Sequence, residues 1–150
     1  MILTRAADYA VRVMVCLAGQ ADSTRTHRDA LAEATQVPPE FLGKVLQSLS
    51  RAGLITSQRG VHGGFALARS RDTISMLRVI EAIEGPLRLN ACLLDEPQCD
   101  RRTFCAAHRV WHEAQDALQR ILGSVTVGSL ARESGSQEND GEIPMWSRPS

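Results

Sequence analysis

The sequence has few aromatic residues and no long apolar run. Phe, Trp and Tyr make up 4% of the 150 residues, whereas aliphatic residues are common. This composition predicts a helical core of aliphatic side chains in a chain of ordinary single-domain size. A membrane span needs about 18 consecutive apolar residues, and no such run is present. The first residues do not resemble a signal peptide either, so we expect a cytoplasmic protein.

The sequence also lacks a net charge, since 17 Lys and Arg balance 17 Asp and Glu. The charges are nevertheless unevenly placed. Residues 1–78 carry ten Lys and Arg against six Asp and Glu, a difference of +4, while the remainder carries seven against eleven, a difference of −4. A basic half is typical of a surface that meets phosphate groups, so this asymmetry favours a nucleic-acid partner for the first half.

Enzymatic signatures are missing as well. The sequence has no defensible Ser/His/Asp arrangement, no phosphate-binding glycine loop and no pair of acids in the context of a cleft. One Cys–His pair, Cys105 and His108, is spaced for joint action, but it is better explained as part of a metal site. We therefore expect a protein that is not an enzyme.

The pattern of elements predicts a mainly α fold with one small β-hairpin. Helical periodicity and capping residues predict helices over about residues 5–18, 28–35, 39–52, 76–84 and 105–122, with a short helical turn over 127–131. Two short strands, 54–58 and 65–68, flank a glycine-rich turn. This order is that of a winged helix-turn-helix followed by a long C-terminal helix.

The predicted helix over 39–52 has the features of a DNA-recognition helix. Its apolar residues fall on one face and belong to the core, and its opposite face is polar. Such a face can enter the major groove, while a glycine-rich hairpin tip can approach the backbone or the minor groove. The residues predicted to contact DNA are Phe41, Lys44, Gln47, Ser48 and Arg51 on the helix and Arg59 and His62 at the hairpin tip.

Three cysteines in the segment before the long helix predict a metal site. Cys92, Cys99 and Cys105 are separated by six and five residues. Thiolates select soft metals, and these gaps are wider than the two to four residues typical of zinc ribbons. A loop of this kind can wrap an iron–sulfur cluster. Cys16 lies between apolar residues of the first helix and is expected to belong to the core.

Three cysteines leave one coordination position for another residue. His108 lies one helical turn after Cys105, and Asp8 near the start of the first helix is a second candidate. A zinc site made by the three cysteines and His108 is the main chemical rival. Free thiols that form a reversible disulfide are another alternative, since Arg101, Arg102 and Arg109 could activate a thiol.

Together these residues resemble the family of transcription regulators typified by IscR, NsrR and RirA. The resemblance covers nearly all of residues 1–131. It is carried by the three cysteines and by the segments Leu3-Thr4, Asp8-Tyr9-Ala10-Val11-Arg12, Leu49-Ser50-Arg51-Ala52-Gly53-Leu54, Arg59-Gly60-Val61-His62-Gly63-Gly64-Phe65 and Thr126-Val127-Gly128-Ser129-Leu130.

The resemblance implies a homodimer built on the long helix, and a [2Fe-2S] or [4Fe-4S] cluster bound by Cys92, Cys99 and Cys105. In nitric-oxide sensors of the family, an aspartate at the position of Asp8 reaches across from the other subunit as fourth ligand. In IscR-type members a histidine matching His108 fills that position, and this sequence has both. The resemblance thus implies a DNA-binding regulator, usually a repressor, that senses nitric oxide, oxygen or iron–sulfur status.

These expectations divide the chain into four parts. The DNA-binding domain would span residues 1–85 and the cluster-binding loop residues 86–104. The dimerisation helix and a docking turn would span residues 105–131, and residues 132–150 would form a disordered tail, because that stretch has too little apolar surface to order itself.

Overall fold

A computed structural model describes residues 3–94 and 99–139, the last four of these for the backbone alone. It contains six α-helices and one hairpin in this range. The helices are α1 (Arg5–Ala18), α2 (Arg28–Thr35), α3 (Pro39–Arg51), α4 (Met76–Glu84), α5 (Ala106–Ser124) and α6 (Val127–Asn139), and the strands are β1 (Ile55–Gln58) and β2 (Gly64–Leu67). The predicted fold class, mainly α with a winged helix-turn-helix, is confirmed.

Helix α1 is the centre of the core. It begins at Thr4, whose hydroxyl accepts a hydrogen bond from the backbone N–H of Ala7 at 3.4 Å, as expected of an N-cap. Its apolar face is fully buried, and the helix packs against α2, α3, α4 and α6. Helix α1 thereby connects the helix-turn-helix formed by α2 and α3 to helices α4 and α6.

The hairpin is short and is tied to the segment before α2. β1 and β2 pair antiparallel, with Ile55 opposite Leu67 and Gln58 opposite Gly64. Thr26 extends this sheet by one bridge, because its N–H donates to Phe65 O and its carbonyl accepts from Phe65 N, both at 2.9 Å. The wing is thereby fixed relative to the recognition helix.

Helix α5 stands apart from the main core. It packs on α4 and on a 3₁₀ turn, Ala91–Leu93, and its only buried residue in this chain is Gln115. Apolar residues recur along this helix as a stripe, and three of them, Val110, Trp111 and Ile121, are exposed. None of the helices in the part of the chain that the structure describes is both long and apolar enough to cross a membrane.

Helix α6 corrects the prediction of a disordered tail from residue 132. It continues to Asn139 and packs on α1, with one ion pair to a residue outside the helix and one side-chain hydrogen bond within it. Arg132 pairs with Asp72 at 2.9 Å, and Ser134 Oγ donates to Leu130 O at 3.0 Å. The remainder of the predicted tail, 140–150, lies outside the described residues, as do residues 95–98 of the predicted cysteine loop.

Candidate nucleic-acid interface and metal centre

The recognition helix presents the polar face that the sequence predicts. Leu42, Val45, Leu46 and Leu49 are buried, so the helix has a fixed orientation on the core. Lys44, Gln47 and Arg51 are exposed on the opposite face, and Ser48 beside them is half-buried. A helix that is anchored on one side and basic on the other can dock against the edges and phosphates of a duplex.

Phe41 has a packing role as well as an exposed surface. It is 45% exposed, and its ring centroid lies 5.8 Å from that of Tyr9 in α1. Arg12 also lies over the Tyr9 ring, with its guanidinium carbon 5.7 Å from the ring centroid. The start of the recognition helix is therefore in direct contact with α1.

The tip of the wing carries Arg59 and His62, which are both exposed as predicted. Two residues that the sequence analysis did not select hold this wing in place. Arg25 donates to the carbonyl of Gly64 at 3.3 Å, and His27 Nε2 donates to the carbonyl of Val61 at 3.1 Å. No local sequence signal distinguishes them, because their partners are main-chain carbonyls more than thirty residues away.

Of the predicted metal ligands, the structure brings Cys92 and His108 to one cavity. This cavity of about 330 Å³ lies between the 3₁₀ turn and α5. Cys92 is buried, and His108 Nδ1 is buried with no hydrogen-bond partner among the described residues. A buried polar atom without a partner is costly, so an atom bound at Nδ1 would relieve that cost. A thiol and a free imidazole nitrogen are suitable ligands for a soft metal.

The other two cysteines are not gathered at this cavity. Cys99 and Cys105 are half-buried and do not line it; Cys105 is the residue that precedes α5, and its side chain makes no capping hydrogen bond. In residues 3–94 and 99–139 no three His, Cys, Asp or Glu side chains converge as they would around a metal ion. All four cysteines are free thiols.

Asp8 lies at a different place. It pairs with Arg12 at 2.8 Å on the surface of α1 and lines a cavity of about 490 Å³ between α1, α2 and α6. Within one chain it does not line the cavity of Cys92. Cys16 borders the same α1 cavity, and burial raises the pKa of its thiol from the ordinary 9.0. A thiol that stays protonated is a poor metal ligand, which agrees with the core role predicted for Cys16.

Gln115 is a further residue that the sequence analysis did not single out. It is 6% exposed, its Nε2 donates to the carbonyl of Leu87 at 2.7 Å, and its Oε1 accepts from the N–H of Leu89 at 2.9 Å. Both amide atoms are thus used to hold the segment just before Cys92 against α5. A polar residue within an apolar stripe is the only signal that could have pointed to it.

Comparison with known proteins shows to which family the chain belongs. The family model described as "Rrf2: Iron-dependent Transcriptional regulator" matches residues 3–133. The chain belongs to the Rrf2 family. This result confirms the predicted resemblance, since the HTH-type transcriptional regulator IscR of Photobacterium profundum is 27% identical over 141 residues, covering 94% of this chain and 81% of that relative.

Other Rrf2 relatives agree in fold and in general role. A putative HTH-type transcriptional regulator of Mycobacterium tuberculosis is 36% identical over 133 residues, which cover 87% of this chain and 81% of the relative. The solved structure of CymR, the global cysteine regulator of B. subtilis, has a TM-score of 0.73 at 25% identity and covers 89% of this chain and 98% of CymR. The chain is thus a DNA-binding transcription regulator and not an enzyme.

Proposed function

We propose that this Rrf2 regulator is a homodimeric repressor that acts in the cytoplasm and whose affinity for promoter DNA depends on an iron–sulfur cluster. Cys92, Cys99 and Cys105 would hold a [4Fe-4S] or [2Fe-2S] cluster that senses nitric oxide, oxygen or iron–sulfur status. The observation that carries the proposal is that His108, whose buried Nδ1 has no hydrogen-bond partner among the described residues, lines the same cavity as the buried Cys92. The family model's description as iron-dependent agrees with it.

The geometry favours His108 over Asp8 as the fourth ligand. His108 lines the Cys92 cavity, and its Nδ1 has no other partner in the described part of the chain. The carboxylate of Asp8 is already paired with Arg12 and lies on the surface of α1. A ligand role for Asp8 would require it to leave Arg12 and reach the site of a second subunit.

When bound, the cluster supplies a cross-link between the cysteine segment and α5 that responds to oxidants and to nitric oxide. Contacts within the chain link that segment to the reading head, which is the recognition helix α3 with the elements that hold it against DNA. Gln115 holds the main chain of Leu87 and Leu89, and the Leu87 side chain is buried against Ala7 of α1 and Ile80 of α4. Helices α1 and α4 both pack on α3. A shift of the segment before Cys92 therefore acts on the two helices that support the recognition helix.

A second copy of the chain is the proposed partner of α5. Val110 and Ile121 are 55% and 60% exposed on this 19-residue helix, and Trp111 beside them is 41% exposed. A dimer built on α5 would fix the spacing of two recognition helices. Because half-sites lie whole turns of DNA apart, a small change of that spacing alters affinity strongly.

The test begins with the visible absorption spectrum of anaerobically purified protein, with iron, sulfide and zinc measured on the same sample. We expect a coloured protein that contains iron and sulfide in equal amounts. Cys99→Ala and His108→Ala should lower both, while Cys16→Ala, which removes a thiol outside the site, should leave them unchanged. Colourless protein with one zinc per chain would instead support a zinc site, and metal-free protein that cannot be reconstituted would leave a thiol–disulfide switch.

DNA binding is then measured with each form on the promoter of the protein's own gene. The proposal expects that affinity changes when the cluster is removed, and that Cys99→Ala no longer responds to oxidants or nitric oxide. A Cys99→Ala variant that binds and responds like the parent would contradict the cluster proposal, although it would leave the DNA-binding role intact.

A further inference from the structure

A groove between the recognition helix and the wing is lined by two arginines together with polar and apolar residues. It has a volume of about 400 Å³, with Gln47 and Arg51 of α3 on one side and Ser57 and Phe65 of the hairpin on the other. Arg28, the first residue of α2, also lines it, and no acidic side chain of the described residues does. Two guanidinium groups that border one groove without an acid between them favour an anionic ligand.

Arg28 is held in this groove by the recognition helix itself. Its Nη2 donates to the carbonyl of Pro39, at the start of α3, at 2.8 Å. A guanidinium has five N–H donors, so this bond leaves others for a ligand. The side chain is also exposed, which places the remaining donors within reach of a molecule that docks on α3.

Gly43 makes the position of Arg28 feasible. A Cβ at residue 43 would lie 2.9 Å from Arg28 Nη2 and 3.4 Å from its Cζ, so the guanidinium occupies the space where a side chain would begin. Glycine in the middle of a helix lowers helix stability relative to alanine, and this helix position has no unusual backbone conformation to require it. A Cβ at this position would force the Arg28 guanidinium, the end of a flexible side chain, to move away from its observed place.

We propose that Arg28 binds a backbone phosphate of DNA in the groove between the recognition helix and the wing, and that Gly43 is its positioning residue. Arg28 comes from α2 and was not among the residues that the sequence analysis assigned to DNA. The inference rests on the DNA-binding role of the chain and not on the cluster, so the absence of a cluster would leave it standing. It makes the reading head a composite of α2, α3 and the wing.

The test is the salt dependence of DNA binding by Arg28→Ala. The probes are a duplex that the wild-type protein selects from a random-sequence pool and a duplex of unrelated sequence. Loss of one phosphate contact should reduce the slope of log K against log salt by about 0.9 for each reading head, on both duplexes alike. Affinity at physiological salt should fall about tenfold.

Arg69→Ala is the matched control. Arg69 is also exposed, but it borders a different cavity together with Asp22 and Asp72. The variant loses the same charge, so it measures the general effect of net charge, and its slope should stay close to that of the wild type. Circular dichroism and thermal unfolding of each variant establish that its fold is retained.

A double-mutant cycle with Gly43→Ala tests the positioning role. Gly43→Ala should weaken DNA binding when Arg28 is present, because the new methyl group displaces the guanidinium, even though alanine favours the helix. In the Arg28→Ala background the same substitution should cause little further loss.

Three results would overturn the inference. The first is a salt slope for Arg28→Ala equal to that of Arg69→Ala. The second is a loss of affinity that depends on the identity of one base pair in the selected site and is absent on the unrelated duplex. That result would mean that Arg28 contacts a base instead of a phosphate. The third is a loss from Gly43→Ala that is equally large with and without Arg28, which would remove Gly43 as its positioning residue.

Discussion

Gly64 shows how a single residue fixes the wing. It begins β2 with φ +121°, a conformation that side-chain-bearing residues rarely adopt, and a Cβ there would lie 2.6 Å from the carbonyl oxygen of Thr26. The bridge between Thr26 and Phe65 requires this close approach of two main chains. The glycine therefore serves both the turn and the docking of the hairpin on the helix-turn-helix.

Replacing Gly64 by alanine should lower the free energy of unfolding by more than the same change at Gly60. Gly60 also has a positive φ, +104°, but a Cβ there would meet nothing within 4 Å. Gly60→Ala should thus lower the free energy of unfolding only by the cost of backbone strain, about 1–3 kcal/mol. Gly64→Ala should add the collision with Thr26, and urea unfolding of the two variants measures the difference. Equal losses would mean that the hairpin shifts freely away from Thr26.

At the scale of elements, Gln115 connects α5 to the cysteine segment. It is the buried residue of this helix, and its amide matches one main-chain acceptor and one main-chain donor. Such a clamp orients the chain that leads into Cys92. The proposed metal centre would depend on it only through that orientation.

Gln115→Leu should destabilise the protein and loosen this segment. The substitution leaves the Leu89 N–H without its partner, at about 1–3 kcal/mol for a buried group, whereas the Leu87 carbonyl keeps the hydrogen bond from Arg88 Nη1 at 2.9 Å. Hydrogen exchange at the Leu89 amide should accelerate, and iron retained after anaerobic purification should fall. The control is Gln119→Leu, one turn further along α5 and bordering the same cavity. Unchanged exchange at Leu89 would contradict a clamping role.

The sequence predicts those elements whose signals are short-range. Pro39 at the first position of α3 and the glycine-rich turn of the hairpin determine local backbone conformation, so both elements were expected within one or two residues of their positions. Helix α6 beyond residue 131 was missed because its stability comes from tertiary contacts, such as Arg132 with Asp72. The residues after 131 are weakly apolar, so they show no helical periodicity of apolar side chains that would predict packing on α1.

The residues of the candidate sites also divide into those with a short-range sequence signal and those whose role depends on tertiary contacts. The exposed face of α3 and the cysteine spacing can be recognised from residue types alone, and they led to Lys44, Gln47 and Cys92. Arg28 could not be found in this way, because its role arises from the approach of α2 to Gly43 across the helix-turn-helix. Contacts between a side chain and distant main chain have no signature in the local sequence.

At the scale of the whole molecule, two faces of α5 are used differently. One face, with Gln115 and Leu122, packs on its own chain. The neighbouring face, with Val110 and Ile121, is uncovered, and ion pairs such as Arg109 with Glu113 occupy another side. An uncovered apolar stripe along a helix of this length is typical of a surface that a second chain covers.

We expect Ile121→Glu to convert a dimer to a monomer. A carboxylate buried in an apolar interface without a partner should weaken association at least about hundredfold, because two copies of the variant meet in a symmetric dimer. Sedimentation equilibrium measures the change, and Arg120→Glu, which places the same acid on an exposed polar position of α5, should remain dimeric.

Affinity for a palindromic duplex should fall with Ile121→Glu, since one chain then engages one half-site. A wild-type protein that is monomeric at micromolar concentration would contradict this assembly, and a dimeric Ile121→Glu variant would assign the interface to another surface.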